Sequence, residues 1–315
     1  MGVYVSMKKA RALLFSVILL AGCGRSDMKL GTSGQGGVYE AFGNALSEKL
    51  AEEDSLQVEV RNTAGSAANI RLLNDSYIQL GIAQADVVSY MYTGSVNDSW
   101  SAIASLYTEA VQIIASDASG IKTVADLEGK TVSIGADESG TEENAKEILA
   151  ACGLNELLVN EKLLDYPDAA KEIRKGTIDA LFVTAGAPAH FVEELMAEGG
   201  YHFVYLDDAT IERLKRTYDY YTDTTIPART YTGQNDEVQT VGVKSILLAS
   251  DTLSEETVQQ IMDTLFANSA AIYKEAGIGE TLSVDSAVLG VSVPFHKGAV
   301  SWYEAHGIHV EGKGD

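Results

Sequence analysis

Four stretches place small and hydroxyl-bearing residues between the end of a strand-like run and the start of a helix-like one. They are residues 32–37 (TSGQGG), 63–66 (TAGS), 139–141 (SGT) and 185–188 (AGAP). Glycine lets the backbone come close to a solute, and the first N–H groups of a helix have no partner inside it, so such loops favour acceptors and above all anions. Each stretch alone is also an ordinary turn. Four of one kind, two in each half of the chain, point instead to loops that converge on a cleft, since ligands of open α/β sheets sit beyond the carboxyl ends of the strands.

Catalytic signatures are weak beside this. The glycines of 31–36 do not follow the dinucleotide order G-x-G-x-x-G, no phosphate-cradling G-x-x-x-x-G-K-[ST] occurs, and there is no G-x-S-x-G elbow. His306 and His309 have a spacing a metal could use, but read as solvated surface histidines beside Gly307. Glu142 and Glu143 open a helix, where carboxylates complement the helix dipole without doing acid–base work. The run 218–221 (YDYY) reads as packing more than as a stacking platform. An enzyme would need a cleft acid or base with a shifted pKa, and no motif supplies one. We therefore expect a non-enzyme, with no cofactor and no metal.

The elements that must position these loops alternate. Met28 to Gly31 reads as a short strand and 38–50 as a helix, with Phe42, Ala45, Leu46 and Leu50 at helical spacing. A strand over 56–61 leads to Ser66, read as the N-cap of a helix over 67–73. Strand-like runs follow at 78–83 and 110–115. A second set holds a capped turn at 123–127, a strand at 131–135, a helix from about 141 to 151, a helix over 168–175 closed by Gly176, and a strand at 178–184. Pro188 is read into the first turn of a helix reaching Met196. Residues 225–233 read as loop, 238–249 as a long strand and 254–270 as an amphipathic helix. Strand–helix alternation implies parallel sheets covered on both faces, an α/β class. With four prolines and no Pro-rich linker, the two halves are expected to be joined by structured crossings near 115 and 240, giving two lobes and a hinge.

Composition sets outer bounds. The 315 residues carry 45 Asp plus Glu against 23 Lys plus Arg, a net charge of −22, which excludes a nucleic-acid partner because phosphate binding needs clustered cations. Two cysteines, Cys23 and Cys152, cannot build a disulfide framework. Cys152 reads as a buried thiol on a helix. Residues 1–22 contain Lys8, Lys9 and Arg11, no acid, and an apolar run over 12–21 that is about half the length of a membrane span. They read as a secretory signal. The end of that run, Leu20-Ala21-Gly22-Cys23, resembles the bacterial lipoprotein box, which implies a lipid on Cys23, a tether over 23–28 and a location outside the cytoplasmic membrane, on the outer face of the membrane or in the periplasm.

In collinear order the chain carries GTSGQGGVY (31–39), TAGS (63–66) with Asn69, QAD (84–86), DLEGK (126–130), SGT (139–141), YP (166–167), GxxDA (176–180), AGxP (185–188), IPxxTY (226–231), VGV (241–243) and HxGA (296–299). This series resembles the TAXI family, the solute receptors of TRAP transporters. The resemblance implies a two-lobed type II periplasmic-binding-protein fold that closes over one small carboxylate or amino acid such as glutamate, a monomer, and a TRAP-type permease as membrane partner. It implies lobes of 29–115 with 240–315 and of 116–239. It also implies a ligand lined on one side by Ser33, Gly36, Tyr39, Ala64, Gly65, Ser66, Asn69 and Gln84. The other side would be Ser139, Gly140, Thr141, Ala185 and Gly186. The chain departs from the family pattern at Glu40, Glu142 and Arg229, which would change the charge near that cleft. Two other readings share the scaffold: a binding protein of another transporter or sensor, and an enzyme.

Overall fold

The structure is a computed structural model, and it describes residues 28–95 and 97–314. The signal, the lipoprotein box with Cys23 and most of the tether lie outside the described residues.

The first half builds as its periodicity predicts: β1 (Met28–Gly31), α1 (Val38–Glu53), β2 (Val58–Arg61), α2 (Ser66–Asn74), β3 (Leu80–Gln84) and α3 (Ala85–Met91). The apolar stripe of α1, with Phe42, Leu46 and Leu50 buried, packs its face into the core. Next comes β4 (Trp100–Ser116), a 17-residue strand buried on both faces over most of its length. The second half contains β5 (Thr131–Ser133), α4 (Gly140–Ala151), β6 (Asn160–Lys162), α5 (Tyr166–Arg174), β7 (Ala180–Ala185), α6 (His190–Glu198), β8 (Tyr201–Val204) and α7 (Asp208–Thr217). The chain then returns through β9 (Thr222–Ile226) and β10 (Val238–Ser250) to α8 (Glu255–Ala267), α9 (Ser269–Glu275) and α10 (Lys297–Ala305).

The strands run β2-β1-β3-β10-β4-β7-β5-β6, with β8 beside β4 and β9 beside β10. The flanks, β2-β1-β3 on one side and β7-β5-β6 on the other, are parallel, as right-handed crossovers through helices require. Between them β10 and β4 run antiparallel to each other and to β3 and β7. Ala110 and Gly242 are partners in register. On β4, Ala110 is also where pairing passes to β7. On β10, Gly242 is where pairing with β9 ends. Both β4 and β10 thus run on as continuous strands through the point where they change partners.

Several local expectations are corrected. Ser66 is the first residue of α2 and Gly65, at φ +125°, is its N-cap, because only glycine enters that backbone region freely. Helix α6 starts at His190, with Ala189 as N-cap, so Pro188 lies before the helix and not in its first turn. The run 225–233 is loop except for its first two residues, since Thr225 and Ile226 pair with Gln239 and Val238. The single long helix expected over 254–270 divides at Asn268 into α8 and α9. Cys152 is the half-buried C-cap of α4 and not a core helix residue. The YDYY run packs as expected, with the Tyr220 and Tyr221 hydroxyls both donating to the Glu147 carboxylate.

Candidate functional site: a cavity at the seam between the two halves

The loops after β1, β2, β5 and β6, with the ends of β3 and β7, meet around a cavity of about 290 Å³ beside Glu109 of β4. Of the stretch 185–188 only Ala185, the last residue of β7, reaches it. Ser33 and Tyr39 reach it from the first loop and α1, Ala64, Gly65 and Ser66 from the second, and Gln84 from the end of β3. From the other half come Ser139, Gly140, Thr141 and Ala185. Gly36, Asn69 and Gly186 are not in the lining. Gly36 gives its N–H to the Glu40 carboxylate at 2.6 Å beside a separate surface hollow. Asn69 is spent on the frame: its Nδ2 donates to the carbonyls of Thr32 (2.7 Å) and Ile82 (2.8 Å), and its Oδ1 accepts from Thr63 (2.7 Å). It fixes where the second loop starts. A side chain on Gly186 would touch the Tyr107 ring at 3.4 Å, so that glycine sits against the core.

The backbone amines expected to hold an anion are largely taken by the protein itself. The N–H groups of Ala67 and Ala68 donate to the Glu138 carbonyl across the seam. Ser139 caps α4 by accepting from the Glu142 N–H at 3.1 Å. Glu142 accepts from the Glu138 N–H at 3.0 Å and pairs with Lys146 at 2.5 Å. The three departures from the family pattern therefore leave the cavity wall unchanged: Glu40 and Glu142 hold their own loops, and Arg229, at φ +68°, lies in an exposed turn.

The sequence reading missed Glu109, the residue with the most chemistry. It stands on β4 one position before the change of partners, lines the cavity and is 2% exposed. The Tyr39 hydroxyl donates to its Oε2 at 2.8 Å. Burial pushes the Glu109 carboxyl up to about 8, opposed by hydrogen bonds from Tyr39 and Gln84, because a charge withdrawn from water needs more compensation than neutral donors give. Tyr166, also missed, is stacked on Phe191 at 4.5 Å between centroids, shares a hydrogen bond with the Thr141 hydroxyl at 2.9 Å and donates to the Thr184 carbonyl at 3.0 Å. Burial raises its phenol to about 12. Gln84 Oε1 and Thr184 Oγ1 are buried without a hydrogen-bond partner among the described residues. A lone acid at the edge of an apolar strand run was the available signal for Glu109.

Ser66 proves to be a positioning residue. Its Oγ accepts the Gln84 N–H at 3.0 Å in a buried setting. Ser66→Ala should cost about 1–3 kcal/mol of stability, the penalty of leaving that N–H unsatisfied; unchanged urea midpoints would overturn this.

Three solved structures share the fold. The alkanesulfonate-binding protein SsuA from Xanthomonas axonopodis pv. citri, bound to MOPS, is 15% identical, with a TM-score of 0.51 over 89% of this chain and 90% of that one. PhnD1 from Prochlorococcus marinus, in complex with methylphosphonate, is 9% identical, with a TM-score of 0.57 over 81% and 92%. An ancestral arginine-binding protein bound to arginine is 15% identical, with a TM-score of 0.50 over 79% and 96%. The architecture is that of the two-lobed type II periplasmic binding proteins. A family model, the NMT1-like family, matches residues 30–307. The chain belongs to the NMT1-like family, a family of periplasmic substrate-binding proteins.

Proposed function

We propose that this protein is the solute receptor of a transporter, and that it captures one small amino acid or carboxylate by closing two lobes over it. The lobes are 29–115 with 240–315 and 116–239, hinged where β4 and β10 change partners. The observation that carries this reading is the cavity itself: the loops after β1 and β2 from one half, and after β5 and β6 from the other, enclose a space at the small end of ligand pockets. Closure has its own contacts. Arg71 of α2 forms a bidentate pair with Glu138 (2.9 and 2.7 Å), while the Glu138 carbonyl takes the α2 N–H groups. Deeper, Asn144 of α4 donates to Asp86 of α3 at 2.6 Å. A solute that bridges both walls adds contacts available only in the closed form and shifts the population toward it.

The collinear motifs support a TRAP-type permease as partner and a lipid on Cys23 as the anchor outside the cell. The second reading, an enzyme on the same scaffold, gains one feature from the structure, since Glu109 is a cleft acid with a raised pKa. A thermal-shift screen of amino acids and dicarboxylates, followed by product analysis, tests both. The receptor reading expects a rise in melting temperature with the solute recovered unchanged; turnover of that solute overturns it.

A further inference from the structure

The proposed receptor role leaves open which solute chemistry the cavity selects, and the distribution of charge in its wall bears on this. Among the described residues no Lys, Arg or His lines it; the ionisable residues that do are Glu109, Asp165, Tyr39 and Tyr166. Asp165 is used as the N-cap of α5, accepting from the Asp168 N–H at 2.9 Å. Glu109 is different. It lies deep, with Tyr39 of α1 and the Gln84 amide N–H as its hydrogen-bond partners, Tyr107 beside it on β4, Asp86 of α3 nearby and Tyr166 of α5 opposite. Every titratable neighbour is acidic or phenolic, so nothing in the wall neutralises a carboxylate there. Next to it, the buried Gln84 Oε1 is a second acceptor with no donor.

Two adjacent acceptors without a cation call for a group that brings both donors and positive charge. An ammonium has three N–H donors and a full charge. A carboxylate, sulfonate or phosphonate group has neither, and faces an ionised Glu109 as a like charge. Where a protonated Glu109 is the only way to seat an anion, that anion would have to be bound together with a proton. We propose that the solute carries a compact cationic nitrogen, a primary ammonium, which the Glu109 carboxylate and Gln84 Oε1 hold at the floor of the cavity while the Glu109 proton leaves to bulk water. The balance is one proton released for one ammonium seated, with no covalent change.

The sign of the linked proton separates this from the opposite case. The Glu109 carboxyl in the solute-free protein titrates near 8, so at pH 6.5 it is mostly neutral. An ammonium solute then binds with release of nearly one proton, and its affinity climbs by up to about tenfold per pH unit until about pH 8, where it levels. An anion seated on the protonated acid binds without such release and weakens as pH rises.

The test uses the mature protein and matched probes: amino acids and their counterparts without the amine, such as L-alanine with propionate and L-glutamate with glutarate. We expect at least one amino acid to bind, its counterpart to bind at least about 30-fold more weakly, and calorimetry in phosphate and Bis-Tris at pH 6.5 to show proton release. Glu109→Gln should weaken the same amino acid by about 30-fold or more and abolish the release. Equal binding of both members of a pair, or proton uptake, overturns the ammonium seat and leaves the receptor intact. Should Glu109→Gln fail to fold, the proton count of the unaltered protein decides. If no member of either series shifts the melting temperature, the receptor reading falls for this solute class and the ammonium seat falls with it.

Discussion

Between pH 5 and pH 8 the solute-free protein should lose several kcal/mol of stability. Two fully buried carboxyls carry most of this effect; burial also raises Glu147, which acts in the same sense, and lowers His296, which opposes it. Burial raises Glu109 from 4.5 to about 8 and Asp86 from 3.8 to about 7. The folded state therefore keeps protons that the unfolded chain gives up near pH 4. Their contribution is whole below about pH 4 and declines as pH rises, until about 7 for Asp86 and about 8 for Glu109. At about 1.4 kcal/mol per tenfold change in proton affinity, each is worth a few kcal/mol over that range. The carboxyls of Glu138 and Glu198 are held below the usual range by Arg71 and Arg174, so they act in the opposite sense. Both pairs are solvent-exposed and contribute little. Urea denaturation at pH 5, 6.5 and 8 and constant ionic strength measures the slope. Glu109→Gln and Asp86→Asn should each flatten it, and a flat curve in the unaltered protein would overturn the assignment of both carboxyls as buried and raised.

Most of the architecture is legible in the order of residues because it is local. Apolar spacing fixes α1, α8 starts behind Ser254 as the pattern places it, and Gly176 fixes the end of a turn at φ +70°, whereas α5 begins at Tyr166 behind the cap Asp165, two residues before the expected 168. Three of the cavity loops are legible for the same reason, since small residues between strand and helix announce themselves; the fourth, with Asp165 and Tyr166, carries no such residues, and of 185–188 only Ala185 reaches the cavity. What local pattern could not supply is set by partners far away in the chain. Ser66 looks like a cap beside any helix, yet here its hydroxyl is claimed by Gln84, 18 residues on. Asn69 shares the TAGS motif with cavity residues, but the carbonyls of Thr32 and Ile82 take its amide. Glu109 escapes the local pattern because the apolar run starts at Ala110, whereas pairing with β10 extends the strand back to Trp100 and buries the acid inside it. The same antiparallel pairing, which joins both halves in one sheet, depends on β10 arriving from more than 100 residues away.

Gly140→Ala should abolish most of the solute affinity while leaving the solute-free protein folded. Gly140 is the first residue of α4 behind its N-cap Ser139, with a backbone that alanine adopts freely, so locally the change favours the helix. Across the seam the result differs. A Cβ at this position would stand 2.0 Å from Gln84 Oε1 and 2.4 Å from its Cδ, far inside van der Waals contact. The Gln84 amide has only two ways out. It can swing into the cavity, where it occupies solute space and leaves Glu109, or the two halves can remain apart. Both remove the closed site, and we expect at least a 30-fold loss of affinity, about 2 kcal/mol. A melting temperature within a few degrees of the unaltered protein should accompany it. The companion variant Gln84→Ala deletes the obstacle as well as a solute contact, so it weakens binding by itself. In that background Gly140→Ala should cost less than about threefold, because the two positions are coupled only through the clash. Equal losses in both backgrounds would mean that Gly140 acts through its own loop, and that contact between Gln84 and α4 does not limit closure.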